Sequence, residues 1–194
     1  ELSTAELKRA INKGALWLNR GNKTQRTRRL KNKLKARDTL HFYYDEQILN
    51  QQPASAILIE DLKDYSVWFK PYSMLSQGSK WSDHCTVSRF AQLHLSPERP
   101  VFIVHRLDRA ATGLILIAHS KKAANALSNM FEHHQLEKTY HIICHGNFST
   151  EQQPKVIITP IDGKSARSTF TLLEYNKANE LSTIEVKIDS GRKH

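Results

Sequence analysis

Apolar residues fall along this chain mostly in short alternating runs, with helical spacing confined to a few segments. Within Ser3-Thr4-Ala5-Glu6, Ser3 is placed to cap a helix and Glu6 to reach back to it. Leu7, Ala10 and Ile11 then recur on one helical face until Gly14. A second helix is predicted from Asp83 as cap to about Leu95, with Val87, Phe90, Ala91 and His94 along one side. A third is predicted from Ser120 as cap, running from 121 to about 134 with Ala124, Leu127, Ser128 and Phe131 inward. The alternating runs predict strands at 15–19, 40–44, 57–60, 65–69, 113–119 and 138–146. They also predict a hairpin from 162–173 and 183–188 around the polar turn at 176–179. Pro71 has no amide hydrogen to give and stops the strand that ends in Phe69-Lys70. Residues 48–55, with Gln51-Gln52-Pro53, form a linker, so the pattern divides the chain into a module at 1–50 and a larger domain at 56–194.

Charge sharpens that division. The chain carries 29 Lys and Arg against 19 Asp and Glu, a formal net of +10. Residues 1–50 hold 12 of the cations and 5 of the acids, a net of +7, and the stretch from 20 to 35 is strongly cationic. A small module with so few acids favours a polyanionic partner that offers phosphates, although Lys31, Lys33, Lys35 and Arg37 can also be read as a solvated charge run. A hydrophobic share of 39% is enough to supply a core. Cys85 and Cys144 lack paired spacing, which argues against a disulfide framework or a zinc ribbon and for a reducing compartment. Neither His141, Cys144 and His145 nor His84 and Cys85 converge as metal ligands, because adjacent strand residues point to opposite faces. There is no apolar run of membrane-spanning length, no signal-peptide core, no Gly-rich phosphate cradle and no nucleophile elbow. The chain starts at Glu1 and stops after Gly191-Arg192-Lys193-His194, which has the look of a piece of a longer product.

The concentrated chemistry lies between Val104 and His119. His105-Arg106-Leu107-Asp108-Arg109 sits between an apolar run at 101–104 and a longer one at 114–118, the layout of a loop whose ends are held by two buried strands. Such a loop can hold the Asp108 carboxylate at a defined place and orientation, as a reactive group requires. The plainer reading makes Asp108 a turn cap and Arg106 its surface ion-pair partner.

His105-Arg106-Leu107-Asp108, three residues, then Thr112-Gly113-Leu114 resembles the signature of the RluA-type pseudouridine synthases, with Thr112 where those proteins commonly have Ser. Lys70-Pro71 leading to Gln77-Gly78, Lys138-Thr139-Tyr140 closed by Gly146, and Lys164-Ser165-Ala166 leading to Thr169 are similar to further segments of that family. Ser190 to His194 is similar to the start of its closing motif, whose final arginine would lie past His194, so a chain ending there is expected to bind RNA without turning over. In the first module, Ile11, Lys13-Gly14, Leu16, Leu18-Asn19, Arg26, Arg29 and Asp38-Thr39-Leu40 resemble the later part of an S-four-type RNA-binding module, with Arg37 where Gly is often found.

The resemblance implies an α+β fold: a mixed, largely antiparallel sheet with helices as the catalytic domain, beside a small basic α+β module. It implies isomerisation of uridine in RNA to pseudouridine without metal or organic cofactor. Asp108 would be the nucleophile, Tyr140 would stack on the flipped uracil, and Arg106 would contact or replace the extruded base. Arg20, Lys23, Arg26, Arg28, Arg29, Lys70, Arg109 and Lys138 are the expected RNA contacts. For Lys70 the reading of a lysine stem at a sheet edge stands beside this one, and for Tyr140 the reading of core packing. The partner is expected to be ribosomal RNA with tRNA as the alternative, the protein a cytoplasmic monomer without a membrane. A non-catalytic RNA-binding protein and a metal-dependent RNA hydrolase are the readings from other classes.

Overall fold

In the computed structural model, which describes residues 1–28, 31, 33–150 and 152–189, the helix start encoded at Ser3 forms as α1 (Thr4–Asn12). The Glu6 amide donates to Ser3 Oγ, and the Ser3 amide donates to the Glu6 carboxylate at 2.7 Å, which satisfies two helix-end donors reciprocally. The chain divides into two units, Glu1–Ser128 and Asn129–His194.

The first unit opens with a three-stranded antiparallel sheet of β1 (Leu16–Arg20), β2 (Lys23–Arg26) and β3 (Thr39–Phe42), in the order β2-β1-β3. The sequence reading placed β2 within a basic connection, since Lys23-Thr24-Gln25-Arg26 has no apolar alternation. Its pairing with β1 across the Gly21-Asn22 turn is what makes it a strand. Ala10, Ala15 and Leu49 form a small core with Tyr44 packed against it. Leu49 belongs to a short helix, α2 (Glu46–Leu49), capped by Asp45, whose end overlaps the start of the linker expected from 48.

A second antiparallel sheet follows: β4 (Ile57–Asp61), β5 (Tyr65–Lys70), β6 (Phe102–Ile103) and β7 (Gly113–Ala118), in the order β4-β5-β7-β6. Alternate residues of β5, Ser66, Trp68 and Lys70, are buried, and Ile117 and Ile115 lie directly across from the first two on β7. The helix α3 (Val87–His94) buries Val87 and Ala91, and its Phe90 meets the Trp68 ring edge-on at 6.0 Å. Its cap corrects the sequence reading. Thr86 caps α3, its hydroxyl accepting from the Arg89 amide at 3.1 Å, because the Asp83 carboxylate is occupied by Arg28 and Arg26. Ser120 accepts from the Ala123 amide at 3.0 Å and starts α4 (Lys121–Glu132), as the pattern predicts.

The second unit is a sheet of β8 (Thr139–His145), β9 (Lys155–Ile157), β10 (Ser168–Asn176) and β11 (Leu181–Ile188), in the order β8-β11-β10-β9. The β10–β11 hairpin is the one the sequence predicts, and Ser182, Ile184 and Val186 are its buried positions. The fold is α+β, as expected. All strand ladders among the described residues are antiparallel, so the mixed character of the expected sheet reduces to one isolated parallel bridge, Leu75 to Thr86.

Trp68 is 2% exposed at the centre of the β5 face and is the largest fully buried side chain. Trp68→Ala is expected to lower unfolding free energy by about 3–5 kcal/mol, read from urea denaturation midpoints, because neighbouring Ile115 and Phe90 cannot close the cavity fully.

Candidate active site

β6 and β7 pair at Phe102–Ala118 and Ile103–Ile117, so residues 104–112 form a hairpin loop with both ends fixed. Within it Leu107 is buried, while Arg106, Asp108 and Arg109 on either side of it are exposed. Ser76 pins that buried residue. Its hydroxyl donates to the Leu107 carbonyl at 2.6 Å and accepts from the Leu107 amide at 3.0 Å, so one side chain satisfies both main-chain groups next to Asp108. The Leu116 amide donates to His105 Nε2 at 2.9 Å, which ties the loop's entry to β7 and leaves the proton of the neutral ring on Nδ1. After Asp108 the chain turns with an Ala111 amide to Asp108 carbonyl bond of 3.1 Å. The Ser73 amide donates to the Arg109 carbonyl at 3.0 Å, and Arg109 Nε donates back to the Ser73 carbonyl at 3.3 Å. Gly113, with φ +124°, brings the chain into β7 through a conformation that side-chain-bearing residues rarely adopt, a physical reason for the glycine in Thr112-Gly113-Leu114.

Lys70 stands opposite Gly113 in the β5–β7 register, at the end of β5 nearest this loop. Alternation carries its side chain to the same face as Trp68, and the residue is 0% exposed. Its Nζ donates to the Met74 carbonyl at 2.8 Å and to the Pro71 carbonyl at 3.2 Å. Burial pushes the ammonium below the ordinary lysine range, and the Asp108 carboxylate opposes that shift by favouring the charged form. Asp108 is therefore an exposed carboxylate on a pinned loop, electrostatically coupled to a buried cation. This corrects the expectation that Lys70 meets RNA: a fully covered ammonium has no surface to offer a phosphate.

The arginines of the N-terminal sheet are also drawn inward. Arg28 grips both oxygens of Asp83 and donates to the Asn12 carbonyl at 3.2 Å. Arg26 donates to the Gly14 and Ser79 carbonyls, lies 3.5 Å from Asp83, and stacks 4.5 Å over the Trp17 ring. Both were expected on RNA and serve instead as struts between the module and the 79–83 loop. Gly78, singled out in the sequence, is needed there, since a Cβ would fall 2.5 Å from the Asp83 Cβ and 2.9 Å from the Ser82 carbonyl oxygen. Arg20 holds Asp38 through two bonds, of 2.9 and 2.5 Å, and retains partial exposure. Those bonds, with one from the Lys35 amide, bring the Asp38 carboxyl down to about 2. Arg37, where glycine was noted as usual, takes φ +70° in the turn before Asp38. Lys23 is exposed; Arg29 and Ser190 to His194 lie outside the described residues.

In the second unit, Tyr140 on β8 is half-buried across from Val186 of β11, and the Lys138 carbonyl accepts from the Ile188 amide at 3.1 Å. Two contributors escaped sequence reading: Ser76, because a lone serine carries no pattern, and the coupling of Lys70 to Asp108, because it depends on a burial that only the sheet creates.

Residues 64–194, more than half of the chain, match the model of a family described as RNA pseudouridylate synthase. The chain belongs to that family. Among related sequences, tRNA pseudouridine synthase C of Pectobacterium carotovorum is 52% identical over 46 residues, 24% of this chain and 12% of that protein. An uncharacterized RNA pseudouridine synthase of Aquifex aeolicus is 26% identical over 219 aligned residues, 100% of this chain and 67% of its own length. The solved structure of human RNA Pseudouridylate Synthase Domain Containing 4 superposes with a TM-score of 0.55 at 22% identity, over 71% of this chain and 60% of that one, which shows the likeness of fold. The chain thus spans 12% of the first of these relatives and 60% of the solved structure. In this member of the pseudouridylate synthase family the matched region begins just before β5 and contains Lys70, Ser76, Asp108 and Tyr140. Among the described residues no group of three or more His, Cys, Asp or Glu could hold a metal ion, and no helix is long and apolar enough to cross a membrane.

Because the lysine's folded value is depressed, the unfolded chain binds more protons than the folded one between that value and the ordinary lysine range. Stability is thus expected to rise as pH climbs through that window, and Lys70→Met to remove this alkaline gain, measured as the difference in urea midpoints between the two proteins at pH 7 and pH 10. Asp108→Asn removes the opposing charge, so Lys70 is expected to release its proton at lower pH, followed by NMR of its Cε carbon.

For Asp38 the sign is reversed. Its depressed value means the Arg20 pair stabilises above about pH 4, the unfolded carboxylate range, and the contribution is lost as pH falls toward about 2. An acid titration of the Asp38 carboxyl by NMR, in wild type and Arg20→Gln, is expected to show the low value only in wild type.

Proposed function

We propose that the protein as encoded isomerises specific uridines of RNA to pseudouridine, with Asp108 as nucleophile and no metal or organic cofactor. The observation that carries the reading is the geometry around Asp108: an exposed carboxylate whose loop is pinned by Ser76 and His105, coupled to the covered Lys70 ammonium. A nucleophilic carboxylate must be held at a fixed place beside its target, and the pinned loop supports that reading. Uridine inside a folded RNA must first be flipped out, at a cost of a few kcal/mol that stacking and cationic contacts offset. Asp108 attacks either the base or the ribose, the glycosidic bond to nitrogen breaks, the uracil turns, carbon 5 bonds to the ribose, and the bond to the Asp108 carboxylate is released as the carbon-5 proton is lost. Tyr140 stacks on the flipped uracil and assists removal of the carbon-5 proton, and Arg106, exposed beside Asp108, contacts or replaces the extruded base.

Residues 1–50 serve as an S-four-like RNA-binding module and 56–194 as catalytic domain, working as a monomer, with Lys23, Arg20, Arg109 and Lys138 among the RNA contacts. The basic module supports ribosomal RNA as the substrate. A tRNA substrate is supported by relatives that carry the name tRNA pseudouridine synthase C, matched over short stretches. Mapping pseudouridines in both RNA classes from a deletion strain decides between them, since the lost position lies in one or the other.

The central test is tritium release from uridine-labelled RNA by the full-length protein. Asp108→Asn is expected to abolish release while RNA affinity stays within about twofold, since the amide is isosteric and a far poorer nucleophile. Normal turnover by that variant would overturn the assignment.

A further inference from the structure

One face of the β2-β1-β3 sheet carries rings and cations that the proposed catalysis does not use. Trp17 of β1 shares this face with its register partners, Arg26 of β2 and His41 of β3, and Tyr43, two residues beyond His41, continues the row. The Trp17 indole donates to the Lys80 carbonyl at 2.8 Å, which brings the 79–81 segment alongside. There Trp81 meets Tyr43 edge-on at 5.7 Å, and exposed His41 lies on the other side of Tyr43 with ring planes 14° apart and centroids at 6.4 Å. Lys80 Nζ rests 5.2 Å from the Tyr43 ring centre and 5.0 Å from that of Trp81.

These rings are not the core of the module, which is built from Ala10, Ala15 and Leu49; His41 is exposed and Tyr43 and Trp81 keep part of their surface in water. Among the described residues Lys80 has no carboxylate partner, and its neighbours are ring faces. A phosphate oxygen offers an ammonium a full charge where a ring offers only a quadrupole, and the flexible lysine stem can swing off the rings to meet it. Exposed rings interleaved with cations make a surface on which unpaired bases stack while the backbone follows the charge.

We propose that this face binds an unpaired segment of the RNA, with a base stacked among His41, Tyr43 and Trp81 and Lys80 on the adjoining phosphate. The inference rests on the RNA reading above. The probe is a fluorescein-labelled oligouridine, titrated by anisotropy at several salt concentrations against wild type, Trp81→Leu, Trp81→Phe and Lys80→Gln. Trp81→Leu is expected to weaken binding about tenfold, and Trp81→Phe, which keeps a ring, to hold most of it. Lys80→Gln, an exposed change that leaves folding intact, is expected to flatten the slope of log affinity against log salt by about 0.7, one phosphate contact on a single strand. If wild type binds the oligomer and both Trp81→Leu and Lys80→Gln match it in affinity and slope, this site is wrong while the catalytic reading stands. If wild type binds no RNA of any kind, the functional reading fails and this site fails with it.

Discussion

An ammonium ion held out of water is tolerated only where acceptors surround it and an opposing charge lies near. Lys70 meets that requirement on the covered face of β5, and much of the neighbouring geometry follows from how it does so. Two main-chain carbonyls must be brought to its Nζ, so the chain beyond Pro71 doubles back until Met74 is in reach. The same return path sets Ser73 and Ser76 against the hairpin loop, where they bond to Arg109 and Leu107. The opposing charge is Asp108 itself. A buried cation, the segment that solvates it and the loop that carries the carboxylate are thus one construction, and each part loses its reason without the others.

A second convergence joins the N-terminal module to the rest of its unit. Asp83 receives Arg28 through both oxygens and Arg26 at 3.5 Å, while the Asp83 amide and the Ser82 hydroxyl both donate to the Lys13 carbonyl. Partial burial makes such a cluster matter more than an exposed pair, whose contribution is usually small. It also means that the module's net charge of +7 overstates the cations available to a ligand. Part of that charge is engaged inside the unit, on Asp83 and on main-chain carbonyls.

The family match begins at residue 64, so the chemistry-bearing segments lie within it and the basic module lies before it. Within the match, three features that looked separate in sequence acquire distinct physical jobs. Lys70 supplies buried charge, Gly113 supplies a backbone conformation at the loop's exit, and His105 accepts a strand amide.

By itself the sequence determined what is local. Capping at Ser3 and Ser120, the alternation that makes β5 and β7, the β10–β11 hairpin and the loop holding Asp108 were all legible, because each depends on residues a few positions apart whose side chains and backbone satisfy one another. Tertiary structure decided what depends on residues distant in the chain. β2 has no hydrophobic signature and is a strand only because β1 accepts it. Asp83 reads as a helix cap until Arg26 and Arg28, more than fifty positions earlier, claim its carboxylate and leave the cap to Thr86. Lys70 reads as a surface cation until the sheet covers it. Charge in a sequence is only a count, and whether it faces water, a carboxylate or a carbonyl is set by burial, a property of the folded chain alone.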